Sequence, residues 1–107
     1  MIQHFHRMIS AALGISEKQI VQTLGLLNDG ATIPFISRYR KEVTGGLDEV
    51  QIESIKTHYE KLNEIAKHKE TILNTIQEQG KLTAELQKRI EETWDNTLLE
   101  DIYLPYK

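Results

Sequence analysis

Three observations predict an all-α fold. Apolar residues recur at helical spacing along nearly the whole chain, cap residues and glycines punctuate that pattern, and no stretch alternates long enough to make a useful strand. The predicted order is three short N-terminal helices, then a long helix forming an αα-hairpin with a shorter return helix, then a short C-terminal helix. Residues 1–46 are expected to form the three-helix unit and residues 47–107 the hairpin packed on it, together one compact domain.

Each element has its own signal. In "IQHFHRMISAALG", Ile2, Phe5, Met8, Ile9, Ala12 and Leu13 mark one helical face, and Gly14 ends it. "ISEKQI" offers Ser16 as N-cap with Gln19 three residues on, a capping box, flanked by Ile15 and Ile20 at the staple positions. Ile20, Val21, Leu24 and Leu27 are the expected inward stripe of that second helix, which stops at Gly30. Pro34 suits the first turn of a third helix, where its missing N–H costs nothing, and Thr44-Gly45-Gly46 closes it.

The long helix has the strongest start. Asp48 can cap, Gln51 can return the bond, and Leu47 with Ile52 makes a second staple. Ile52, Ile55, Tyr59, Leu62, Ala66, Leu73 and Ile76 then keep a 3-4 spacing to about Gln79, with Lys69 in the one polar seam position. Gly80 ends it, and Thr83 can cap a return helix bearing Leu86, Ile90 and Trp94. Thr97 and Glu100 offer a last capping box before Tyr103-Leu104-Pro105 breaks the helix.

Composition narrows the function. With 39% hydrophobic and 27% charged residues, the 107-residue chain reads as one soluble globular domain. A net charge of -3 argues against a broad nucleic-acid grip, so any such contact must be local. There is no cysteine, which removes disulfides, cysteine zinc sites and thiol catalysis. No apolar run reaches membrane-spanning length and no signal-peptide core opens the chain, so no membrane is expected and a cytoplasmic setting is.

Enzymatic chemistry finds no support. His4 and His6 point to different faces of a helix, and His58 and His68 lack an i+4 partner or flanking acid arranged for ligation, so no metal site is expected. Glu91-Glu92 and Glu100-Asp101 read as solvated or dipole-complementing charges. No phosphate loop, dinucleotide turn or nucleophile elbow is present, and no cofactor is implied. A helix-turn-helix reading is weak too, because "EKQIVQTLGLLND" offers only Lys18, Gln19 and Gln22 toward a groove.

The segment "TIPFISRYRKEVTGGLDE" is the unusual one. On a helix from Pro34, Ile36, Tyr39 and Val43 share one face with Phe35 on its flank, and Arg38 and Lys41 fall together on the exposed side. Arg38 and Lys41 are therefore the candidate phosphate contacts. Arg40 sits at the edge of the apolar stripe, where a guanidinium is expected to be paired; Glu100 or Asp101 is the expected partner, locking the end of the chain onto the third helix.

"GATIPFISRYRKEVTGGLDEVQI", "KETILNTIQEQGKLTAEL" and "LLEDIYLPYK", in that order, resemble the N-terminal domain of the bacterial transcription accessory family Tex, over nearly the whole chain. The resemblance implies a fragment of a larger protein with an RNase H-like domain, helix-hairpin-helix modules and a C-terminal nucleic-acid-binding OB-fold domain. It also implies likeness to a eukaryotic elongation factor of the suppressor-of-Ty class.

The resulting expectation is a non-catalytic scaffold domain of a Tex-like factor. Its expected partners are the parent's other domains, RNA or DNA chiefly through the parent, and the transcription machinery. The competing expectation is a protein-docking module: the exposed face of "KTHYEKLNEIAKHKE" would engage a polymerase, a ribosome-associated partner or the parent's own domains.

Overall fold

The computed structural model describes residues 2–107, with side chains described from His4 onward. Ile2, assigned above to the first apolar stripe, lies outside the described side chains. Among the described residues the chain is all α, without a strand. The helices are α1 (Ile2–Leu13), α2 (Glu17–Asn28), α3 (Ile33–Tyr39), α4 (Lys41–Thr44), α5 (Glu49–Glu78), α6 (Ala84–Glu92) and α7 (Asn96–Tyr103), followed by a 3-10 turn over Leu104–Tyr106. They build two compact units, residues 1–60 and 61–107, and α5 contributes to both.

In the first unit, α2 packs against α1, α3 and α4. Its core is formed by Phe5, Ile9, Ile15, Ile20, Leu24, Ile36, Leu47, Ile52 and Ile55. The Phe5 ring meets Tyr59 edge-on at 6.2 Å. Each fully buried isoleucine here contributes on the order of 1.5–3 kcal/mol of burial free energy. Both capping boxes form as read. Ser16 Oγ accepts from Gln19 N at 3.2 Å while Gln19 Oε1 accepts from Ser16 N at 3.3 Å. Asp48 Oδ1 accepts from Gln51 N at 2.8 Å while Gln51 Oε1 accepts from Asp48 N at 3.0 Å. The staple residues Ile15, Ile20, Leu47 and Ile52 are buried.

The inward stripes differ in detail from the sequence reading. In α1, Ala12 is exposed. On α2 the inward positions are Ile20, Thr23 and Leu24, and Val21 is 46% exposed. Residues 20, 23, 24 and 27 follow i, i+3, i+4, i+7, so geometry selects the threonine over the more apolar valine. On α5 the buried seam beyond Leu62 passes through Ile65, Lys69, Ile72 and Ile76, with Ala66 and Leu73 at its edge. Ile55, Leu62, Lys69 and Ile76, seven residues apart, are all buried, so the expected seam runs along α5, with Ile65 and Ile72 taking the inward places read for Ala66 and Leu73.

In the second unit, Ile65, Ile72, Ile76, Leu86, Ile90 and Leu99 form the core, with Trp94, Ile102, Tyr103 and Tyr106 partly buried against it. Thr83 Oγ1 caps α6 by accepting from Leu86 N at 3.1 Å. The cap of α7 is Asp95, whose carboxylate accepts from Thr97 N at 2.8 Å and Leu98 N at 3.3 Å; the expected cap, Thr97, is itself inside the first turn. An anionic cap two residues earlier combines the hydrogen bonds with the favourable end of the helix dipole, which a threonine hydroxyl cannot match.

Candidate nucleic-acid interface

The segment around Pro34 folds as two short helices meeting at Arg40, where the sequence alone suggests one. Thr32 Oγ1 accepts from Phe35 N at 3.3 Å, and Pro34 occupies the first turn of α3. At Arg40 the backbone leaves helical values (φ -127, ψ 32), and its carbonyl accepts from both Val43 N and Thr44 N to start α4. Gly45, at φ 75, ends α4 in the left-handed conformation that glycine adopts without a Cβ penalty.

A single glutamine ties this corner down. Gln19 uses its oxygen in the Ser16 capping box and donates its Nε2 to the Thr44 carbonyl at 3.0 Å. A Cβ on Gly45 would lie 2.8 Å from that Nε2, so the glycine also leaves room for the latch. The buried Thr44 hydroxyl in turn accepts from Leu47 N at 3.2 Å, setting the approach to α5.

The buried face of α3 is Ile36 and Ser37, flanked by the half-buried Ile33 and Arg40, again at i, i+3, i+4, i+7 spacing. Ser37 can lie there because its hydroxyl donates to the Pro34 carbonyl at 3.1 Å. Tyr39, expected on the apolar face, consequently points outward and is 66% exposed. Phe35 is 45% exposed, and the two rings pack at 5.4 Å with a 47° tilt.

Arg38 and Lys41 are both exposed, as expected, and line an open cleft with Ser37, Asp48, Glu49 and Val50. Among the described residues neither cation makes an ion pair. The sequence reading pairs Arg40 with Glu100 or Asp101. The partner the structure gives Arg40 is Glu42, with Nε 3.0 Å from Oε1, and both side chains are substantially exposed. A carboxylate two residues away across the break at Arg40 is reached with little ordering of the chain.

Glu100 is engaged within the second unit. His68 Nε2 lies 2.9 Å from its Oε1, and Lys107 Nζ donates to its Oε2 at 2.6 Å. The hydrogen bond from Lys107, helped by the one from His68, outweighs the effect of burial and holds the Glu100 carboxyl below the ordinary carboxylate range. His68 thus has an acid partner after all, 32 residues on, which spacing along one helix does not reveal. Asp101 is exposed and lines an open depression with Arg89, Glu92 and Leu98. Gln79 Nε2 also reaches the Tyr106 carbonyl at 2.6 Å, fastening the closing turn to the end of α5.

Lys69 occupies the α5 seam, only 6% exposed. Its ammonium sits 3.5 Å from the centre of the Trp94 ring and donates to the Glu91 carbonyl. Burial lowers its pKa, an effect the nearby Glu91 carboxylate partly offsets. Both polar clusters of the second unit therefore fasten α5 to the elements that follow it.

The described residues form an all-α module without cysteine, with two exposed cations and two exposed rings at the α3–α4 corner. The family follows from comparison. A profile of the Tex-like protein N-terminal domain matches residues 3–77, and the chain belongs to that family. It is 46% identical over 101 residues to the transcriptional accessory protein Tex of Neisseria gonorrhoeae, covering 94% of this chain and 13% of that protein. It is 45% identical over 107 residues to protein YhgF of Escherichia coli strain K12, covering 100% of this chain and 14% of that protein. A human protein named S1 RNA-binding domain-containing protein 1 is 31% identical over 101 residues, covering 94% of this chain and 10% of its own length. The chain therefore spans about a seventh of the bacterial relatives it matches. Among the described residues no helix is long and apolar enough to cross a membrane.

Proposed function

We propose that this chain is a non-catalytic helical scaffold domain of a Tex-like nucleic-acid-binding transcription accessory protein acting in the cytoplasm. In that reading, Arg38 and Lys41 add a minor phosphate contact of the domain's own. The observation that carries the reading is the pair of exposed cations at the α3–α4 corner, without an ion partner among the described residues. Ile36, Ser37 and the Gln19–Thr44 latch hold them in place. Relatives named for transcription and for an S1 RNA-binding domain support the same direction.

The contact is a small one. Two cations neutralise at most two phosphates, while Asp48 and Glu49 line the same cleft and the chain carries a net charge of -3. The parent's other domains would supply most of the affinity. Fluorescence anisotropy with single-stranded RNA and duplex DNA, at low and near-physiological salt, tests the reading. The expected result is weak, salt-sensitive binding that the double variant Arg38→Glu/Lys41→Glu abolishes. Binding that ignores the charge reversal would remove these residues from the site.

A further inference from the structure

We propose that Phe35 and Tyr39 form a stacking platform for an unpaired nucleobase beside Arg38 and Lys41, so that the first unit takes single-stranded nucleic acid in preference to duplex. This rests on the nucleic-acid reading above and adds a second chemistry to it.

Large aromatic rings are ordinarily withdrawn from water, because each carries a large apolar area. Here two of them stay exposed one helical turn apart, with their ring centres 5.4 Å from each other. The arrangement is fixed from behind. Ile36 is fully buried and Ser37 nearly so, and turning α3 to hide the rings would expose the isoleucine to water.

The rings already pack on one another, so a base would stack on the outside of the pair rather than slip between them. Arg38 lies between them in sequence, and Lys41 follows on the next helix; both are exposed. A nucleotide offers a π face joined to a negative charge, the two features this corner complements. Stacking on aromatic side chains is how single strands are held without sequence preference, since every base has such a face. Duplex DNA keeps its bases inside the stack and offers this corner phosphates, sugars and base edges but no free π face. A protein partner could also cover exposed rings, but two cations beside them without an ion partner among the described residues, even with Asp48 and Glu49 in the same cleft, favour a ligand that joins negative charge to a π face in every nucleotide.

The test uses the 107-residue protein and a single-stranded RNA oligonucleotide carrying 2-aminopurine, whose fluorescence reports stacking, with anisotropy on a duplex of equal length run in parallel. The single strand is expected to bind more tightly at low salt and to change the 2-aminopurine signal. Tyr39→Ser should weaken single-strand binding at least about fivefold and remove the signal, whereas Tyr39→Phe keeps both. Tyr39 is two-thirds exposed, so the serine variant should fold, and an unchanged far-ultraviolet circular dichroism spectrum checks this.

If Tyr39→Ser binds like the unaltered protein, or duplex binds as well as single strand, while Arg38→Glu/Lys41→Glu still weakens binding, the platform is overturned and the phosphate contact stands. If neither nucleic acid binds even at low salt, both readings fall, and the corner becomes a surface for protein.

Discussion

Thr23 is fully buried on the inward face of α2, and among the described residues its Oγ1 meets no hydrogen-bond partner. A hydroxyl removed from water without compensation costs about 1–3 kcal/mol in proteins. Thr23→Val keeps the branched shape and removes that cost, so thermal unfolding should move upward by the equivalent of about 1 kcal/mol. A fall in melting temperature would show that the hydroxyl has an unrecognised role. Lys69 is the opposite case, a buried cation with partners: a carbonyl, an indole face and a nearby carboxylate offset part of its desolvation, which still lowers its pKa. The sequence signals Lys69 because it interrupts an otherwise apolar seam. It cannot signal Thr23, because hydropathy favours the neighbouring Val21 and only the packing of α2 decides between them.

At the scale of elements, what was legible was local. The Ser16–Gln19 and Asp48–Gln51 boxes and the Thr83 cap depend on residues within four positions of each other, and all form. The misreadings arose where two local signals competed or where the partner is remote. Asp95 outcompetes Thr97 as the cap of α7, and Glu100, cast as the returning member of a box, instead meets His68 and Lys107. Two expectations follow.

Asp95→Ala should destabilise the protein by about 1 kcal/mol, and Thr97→Ala by clearly less. Equal effects in chemical denaturation would contradict the assignment of the cap. The second concerns acid. The folded Glu100 carboxyl titrates below its unfolded value of about 4.3, so its contribution is present above that value and is lost as pH falls through the lowered folded value. Unfolding midpoints taken from pH 6 downward should therefore decline less steeply below about 4.3 in Glu100→Gln than in the unaltered protein. Parallel curves would mean that the His68–Glu100–Lys107 cluster is not coupled to folding.

At the scale of the whole molecule, the chain belongs to the Tex-like N-terminal domain family and forms two helical units, each with its own isoleucine-rich core. The fold class was legible because helical periodicity runs along almost the entire sequence. The candidate site was half legible. Arg38 and Lys41 follow from charge and spacing, but the outward turn of Tyr39 depends on a serine being buried in its place and on the break at Arg40.

The central claim is that the charge on this corner meets phosphate. The most direct measurement is the salt dependence of single-strand binding, unaltered protein against Arg38→Ala/Lys41→Ala. Two phosphate contacts predict a slope of log Kobs against log salt of about -1.4, flattening toward zero in the double variant. An unchanged slope in that variant, or no binding in low salt, would contradict the account.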